Sequence, residues 1–183
     1  MERDTSSDKF PLGSALPAFE LMNVDGHPVG DAFLREGDVA LVAFGCNHCP
    51  YVKGSEEMLI EIVRKFQPKG LTAVVINSND SSKYPEDSFE KMVEKATTMS
   101  LPYPYLFDES QEVARAFDAA CTPEFYLFDG KGALVYHGTI NDSPRDKTKV
   151  TQEYLSSAII SALQGEIPCP QFVHPIGCSI KWK

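Results

Sequence analysis

The chain has no apolar stretch long enough to span a bilayer. Its longest such runs, "VALVAF" and "LTAVVI", fall far short of the roughly 20 residues that a membrane helix needs. The start, "MERDTSSDKF", lacks the apolar h-region of a secretory signal, so no secretory leader is expected and a cytoplasmic, reducing setting is the default. Basic residues are in deficit: 17 Lys and Arg stand against 26 Asp and Glu, for a net charge of −9. That balance attracts neither a phosphate backbone nor an anionic lipid surface, which argues against nucleic acid and membrane as partners. No internal repeat, low-complexity tract or interdomain linker is visible.

What is present is ordinary for a globular protein. The 183 residues, 43% of them hydrophobic, are enough to bury a core without disulfide staples. A single domain over 1–183 is expected, with 1–15 flexible or loosely docked. A tail over 166–183 carries Pro168, Pro170 and Pro175, which forbid helix and disfavour an inner strand there.

Five cysteines, an odd number, are not expected to form a permanent framework in a reducing compartment. Two of them, Cys46 and Cys49, stand close together in "FGCNHCPYV", directly after an apolar run. A redox pair needs a thiolate that attacks a foreign disulfide and a second thiol near enough to release the mixed disulfide. Zinc needs four ligands, and beyond this pair the chain offers only Cys169, His174 and Cys178 in "CPQFVHPIGC"; no metal is expected. A c-type haem needs His after the second Cys, where Pro50 stands instead. Two buried, inert thiols are the remaining alternative.

The pattern of elements narrows the choice. "PAFELMNVDGHPVG" reads as a hairpin around Asp25-Gly26. "DVALVAF" and "LTAVVINS" are continuous apolar runs of strand length, suited to the middle of a covered sheet. Between them "CPYVKGSEEMLIEIVRKF" has helical spacing and ends before Gly70. A helix from about Pro85 over "YPEDSFEKMVEKATTM", a strand "YPYLFD", a short helix "ESQEVARAFDA", a hairpin "EFYLFDGKGALVYHG" and a last helix "TQEYLSSAIISALQG" follow. Strands separated by helices and then a hairpin give an α/β fold: a mixed central sheet with helices on both faces and an added N-terminal β-hairpin.

A CxxC at a helix start meets the redox requirement. Cys46 is expected at the helix N-terminus, where open amides favour the anion, with Cys49 a turn further in and more shielded. His48 is expected to lower the Cys46 thiol further through charge or a hydrogen bond. Thr122-Pro123 precedes a strand, and an X–Pro bond takes the cis form for only about 0.5–1 kcal/mol. Cys121 reads either as a relay thiol or as a small filler under the site. Glu124 reads as a proton acceptor for Cys49 or a plain strand-edge charge, and Cys178 is left open between site and surface. His27, His137 and His174 read as turn or surface residues, and Trp182 as an anchor for the tail.

The succession β-CxxC-α, then Thr-Pro and a hairpin, resembles the thioredoxin fold. The N-terminal hairpin and the "INSND" and "YPEDSFEKM" segments resemble its peroxiredoxin-like branch, related to the AhpC/TSA and TlpA/ResA groups. "CNHCPYV", "CTPEFYLFD" and "GCSIKWK" are similar to small members with a CNHC centre. The resemblance implies a cis Pro123 packed against the CxxC, and a substrate peptide lying beside Asn47, Pro50, Thr122 and Pro123. It implies Cys46 as the attacking and Cys49 as the resolving thiol of a thiol-disulfide oxidoreductase. It calls for no cofactor, and its partners are protein disulfides or thiols, or small thiols. A thiol peroxidase using Cys49 and a non-catalytic binding module are the alternatives. The chain departs from thioredoxin in having Gly45 and Asn47-His48 where Trp and Gly-Pro are usual. It departs from the peroxiredoxin Pro-xxx-Thr-xx-Cys pattern in having Val42 and Cys46 at the Pro and Thr positions.

Overall fold

In the computed structural model, which describes residues 9–183, the Asp25-Gly26 turn closes an antiparallel hairpin of β1 (Glu20–Asn23) and β2 (Pro28–Gly30). A single turn, α1 (Asp31–Leu34), leads into β3 (Val39–Phe44), the long helix α2 (Pro50–Phe66) and β4 (Leu71–Asn77). Then come α3 (Phe89–Met99), β5 (Tyr105–Phe107), the short α4 (Glu112–Ala116) and a two-residue strand β6 (Cys121–Thr122). The hairpin β7 (Glu124–Phe128) and β8 (Leu134–Gly138), helix α5 (Tyr154–Leu163) and a last short strand β9 (Cys178–Ser179) complete the chain.

The main sheet runs β2-β1-β5-β4-β3-β7-β8. Its centre is parallel, β3 on β4 and β4 on β5, whereas β1, β7 and β8 run antiparallel to their neighbours. Every residue of β3 is buried because helices cover both faces, and successive side chains go to opposite cores. Val39, Leu41 and Ala43 join Leu59, Val63 and Phe66 of α2 and Leu155 and Ile159 of α5. Ala40, Val42 and Phe44 join Leu34, Phe117 and Tyr126 on the other side. The mixed sheet, the two helical faces and the added hairpin are as the sequence leads one to expect.

Two boundaries differ from expectation. Residues 1–8, part of the segment expected to be loose, lie outside the described residues. From Phe10 onward the chain is docked: Phe10 is buried against Phe117 and Tyr126, and Gly13 and Leu16 amides donate to the Leu134 and Gly132 carbonyls. The helix expected from Pro85 begins only at Phe89, because Pro85–Asp87 is a 3-10 turn whose Asp87 amide bonds back to Tyr84. Ser88 then caps α3, accepting from the Lys91 amide at 3.4 Å.

The tail adds a strand that the sequence did not signal. Beyond its last proline it forms β9, antiparallel to β6, with Cys178 opposite Thr122 and Ser179 opposite Cys121. The Lys181 amide donates to Asn79 Oδ1 at 2.8 Å and the Lys183 amide to Gln111 Oε1 at 3.0 Å, so the end is fastened. Trp182 packs on the second core with the Arg115 guanidinium 4.9 Å from its ring centre. Among the described residues no helix is long and apolar enough to cross a membrane.

Candidate active site

Sheet register builds the site. Phe44, the end of β3, pairs with Glu124, the start of β7, so the segment after Phe44 faces the segment before Glu124. The first holds Cys46 and Cys49; the second holds Thr122-Pro123, which is cis. Cys46 Sγ lies 3.6 Å from Thr122 Oγ1, and the Cys49 thiol donates to the Thr122 carbonyl at 3.2 Å. The two cysteine side chains pack together with Val52. Both are buried, 1% and 0% exposed. Cys46, with Gly45, Lys95, Tyr103, Tyr105 and Pro123, lines a small cleft beneath the loop.

The placement of Cys46 at the helix terminus is corrected by the structure. Helix α2 starts at Pro50, with Cys49 as its N-cap and Cys46 in the loop before it. The loop is held open by a residue the sequence did not single out. Asp87, fully buried, accepts from the Asn47 amide at 2.7 Å and the His48 amide at 3.1 Å through Oδ1. Its Oδ2 accepts from Asn79 Nδ2 at 2.8 Å and bonds the Nδ1 of His48. Those amides are therefore spent on Asp87 and are not available to a Cys46 anion.

His48 accordingly serves Asp87, with its ring stacked on Tyr84 at 5.2 Å between centres. Asn47 is also engaged inward, donating to the Glu86 carbonyl at 2.8 Å and accepting from the Tyr105 hydroxyl at 2.9 Å. Both polar atoms of its side chain thus help to shape the loop. Pro50 is exposed at the first position of α2, beside the pair. Lys95 braces the same loop, donating to the Cys46 carbonyl at 3.2 Å while paired with Glu56 at 2.5 Å.

The two thiols are shifted in opposite directions. The adjoining Cys46 thiol outweighs burial and brings the Cys49 pKa down to about 4, with smaller help from Cys178 and the Val52 amide. Cys46 is pushed far up by the adjoining Cys49, by burial and by the nearby Asp87 carboxylate. Cys49 is thus the more acidic of the two thiols, where the sequence suggested Cys46. Cys46 Sγ, a His48 ring nitrogen and an Asp87 oxygen lie within 4.8 Å of one another, the donor set best placed among the described residues to hold a metal. The hydrogen bonds of Asp87 already fill much of that set.

Around the pair, Cys121 is buried and its thiol is pushed up by burial first and then by Glu124. Glu124 is not an edge charge: it is fully buried and accepts from the Ala120 and Cys121 amides at 2.8 and 3.0 Å and from Tyr126 at 2.9 Å. His137, expected at the surface, is buried with it, its Nε2 2.7 Å from Glu124 Oε1 and its ring stacked on Tyr126. This closed network fixes the base of the cis-proline loop. Cys178 comes to the site, packed against the cluster of Cys46, Cys49 and Val52. Asp87 and Lys95 were missed because nothing in "YPEDSFEKMVEK" separates a buried acid or lysine from the exposed ones beside it.

A CxxC at the end of a central parallel strand, facing a cis-proline before an antiparallel hairpin, defines a thioredoxin-like fold. The AhpC/TSA family model matches residues 12–137, and the chain belongs to that family. A crystal structure of an uncharacterized conserved protein from Geobacillus kaustophilus is 45% identical, with 97% of this chain and 95% of that chain covered at a TM-score of 0.91. A hypothetical protein from Sinorhizobium meliloti is 36% identical, with 95% and 96% covered at 0.90. A thiol:disulfide interchange protein of the thioredoxin family from Chlorobium tepidum shares the fold at 21% identity, with 82% and 97% covered at 0.64. Comparison with the curated proteins gives no match.

Proposed function

We propose that the protein is a thiol-disulfide oxidoreductase whose Cys46 and Cys49 cycle between dithiol and disulfide, exchanging electrons with protein thiols or small thiols. The observation that carries this reading is the convergence of both sulfurs on Thr122, directly before cis Pro123: Cys46 Sγ is 3.6 Å from its Oγ1 and Cys49 Sγ 3.2 Å from its carbonyl oxygen. The two sulfurs hold the electrons themselves, so the step needs no organic cofactor.

Cys46 lines the cleft and is the sulfur a partner meets; Cys49 is the better leaving group because its pKa is low. A partner thiolate attacks Cys46 of the disulfide, a mixed disulfide forms, and Cys49 departs as thiolate. A second partner thiol, attacking the partner's own sulfur, leaves as a partner disulfide and returns Cys46 as a thiol. In the reverse direction a proton passes from Cys46 to Cys49, Cys46 attacks the partner disulfide, and Cys49 resolves the product at Cys46. Thr122, Pro123 and Pro50 border the approach to the pair. Replacing the resolving thiol tests this: Cys49→Ser is expected to accumulate mixed disulfides on Cys46, identified by mass spectrometry. No adduct on Cys46, with wild type exchanging normally, contradicts the division of labour.

The packing of Cys46 on Cys49, together with the lowered Cys49 pKa, also favours a second reading, peroxide reduction. The Cys49 thiolate would take one peroxide oxygen as sulfenic acid, the other leaving as alcohol or water, and Cys46 would condense with it to the disulfide, releasing water. Single-turnover peroxide consumption lost in Cys49→Ser but retained in Cys46→Ser supports this reading; equal, slow consumption in all three proteins removes it.

A further inference from the structure

Cys49 has two thiol neighbours, not one. The second is Cys178, packed on the Cys46-Cys49-Val52 cluster. Its position is built by the fold rather than by a stray loop. β9 pairs with β6 so that Cys178 stands opposite Thr122, the residue both buried sulfurs touch. Gly177 allows this closeness: a Cβ there would come within 2.2 Å of the Thr122 carbonyl oxygen. Beyond Cys178 the tail is fastened at Lys181 and Lys183. Of the three contacting thiols, only Cys178 is partly open to solvent.

We propose that Cys178 is a third redox thiol that carries the disulfide from the buried pair to the surface, through an alternative Cys49–Cys178 bond. The inference rests on the reading that Cys46 and Cys49 form a disulfide. In the first step Cys178, having given up its proton, attacks Cys49 of that disulfide. The Cys49–Cys178 bond forms, the Cys46–Cys49 bond breaks, and Cys46 leaves as thiolate and takes up a proton. No electrons enter or leave the protein in this step. A small external thiol then attacks Cys178, forming a mixed disulfide there and releasing Cys49 as thiolate. A second small thiol attacks the first at its own sulfur, and the small-thiol disulfide departs from Cys178. Two small thiols are oxidised and the protein is reduced to its dithiol. Lys181 and Arg145 bring positive charge to Cys178 in a chain of net charge −9, which suits an anionic small thiol such as glutathione.

Burial and the Cys49 charge raise the Cys178 pKa to about 11, so transfer through it is expected to speed up with alkali. The decisive experiment uses the full chain. Oxidised Cys178→Ser is expected to be reduced by glutathione about tenfold more slowly than oxidised wild type, because direct attack on Cys46, 1% exposed, is the slower route. An unchanged rate overturns the proposal and leaves the Cys46–Cys49 couple intact. Cys46→Ser treated with oxidised glutathione is expected to yield a Cys49–Cys178 disulfide by peptide mapping, with Cys121 still alkylatable. Glutathione on Cys49 with Cys178 fully free overturns it again. Should Cys46→Ser fold poorly, brief quenching of oxidised wild type is expected to show a minor Cys49–Cys178 species; its complete absence counts against the relay. Wild type that never forms a Cys46–Cys49 disulfide overturns the exchange reading itself.

Discussion

Asp87 grips His48 twice, through the backbone amide at Oδ1 and through the imidazole at Oδ2. One buried carboxylate thereby shapes the CNHC loop and places a negative charge beside Cys46. Asp87→Asn keeps the size and removes the charge. Its loss of charge-assisted hydrogen bonds is expected to cost about 2 kcal/mol in urea unfolding. Cys46 is expected to become more acidic, shifting the pH profile of its alkylation downward. An unshifted profile means the Asp87 charge does not reach Cys46.

The thiol pair makes stability depend on pH in a distinctive way. Unfolded, both thiols ionise near their ordinary value of 9.0; folded, Cys49 ionises near 4 and Cys46 well above the ordinary value. Between those lower limits the unfolded chain holds one more proton than the native pair, so stability rises with pH. Above the ordinary thiol value the native pair still holds the Cys46 proton that the unfolded chain has lost, so stability falls. The reduced protein, compared with the oxidised one at each pH, is therefore expected to gain most near pH 9. A reduced-minus-oxidised difference that is flat from acid to alkali contradicts the opposed thiol shifts.

Lys95 and Glu56 are both largely buried, and Lys95 also holds the Cys46 carbonyl. Lys95→Met leaves Glu56 uncompensated and is expected to destabilise by about 3 kcal/mol. Pairing it with Glu56→Leu is expected to restore most of that loss. Redox exchange is expected to stay impaired in the double variant, because the brace on the Cys46 carbonyl is gone.

Gly177→Ala cannot keep β9 on β6, since the new methyl meets the Thr122 carbonyl. The tail is expected to lift, and Cys178 to react with iodoacetamide several-fold faster than in wild type. Unaltered reactivity means the tail adapts without leaving Thr122.

The sheet was legible because its central strands are runs of apolar residues no other element accommodates. β3 and β4 stand out in "VALVAF" and "LTAVVI", and the helix between them follows from its spacing. The site was legible in its residue types but not in its wiring. Cys46, Cys49, Thr122 and Pro123 do meet, yet Cys46 lies before the helix, in a loop whose amides Asp87, from the turn before α3, takes up. Glu124 and His137 look like exposed residues until strand register sets Tyr126 against His137 on one buried face. The return of Cys178 depended on a long-range pairing across three prolines, for which local pattern gives no signal.

The most direct measurement is an equilibrium redox titration of the full chain against glutathione, with alkylation and mass mapping at each poise. One two-electron transition is expected, in which Cys46 and Cys49 lose reactivity together while Cys121 and Cys169 keep theirs. Cys46 and Cys49 remaining alkylatable at every poise would contradict a dithiol–disulfide centre.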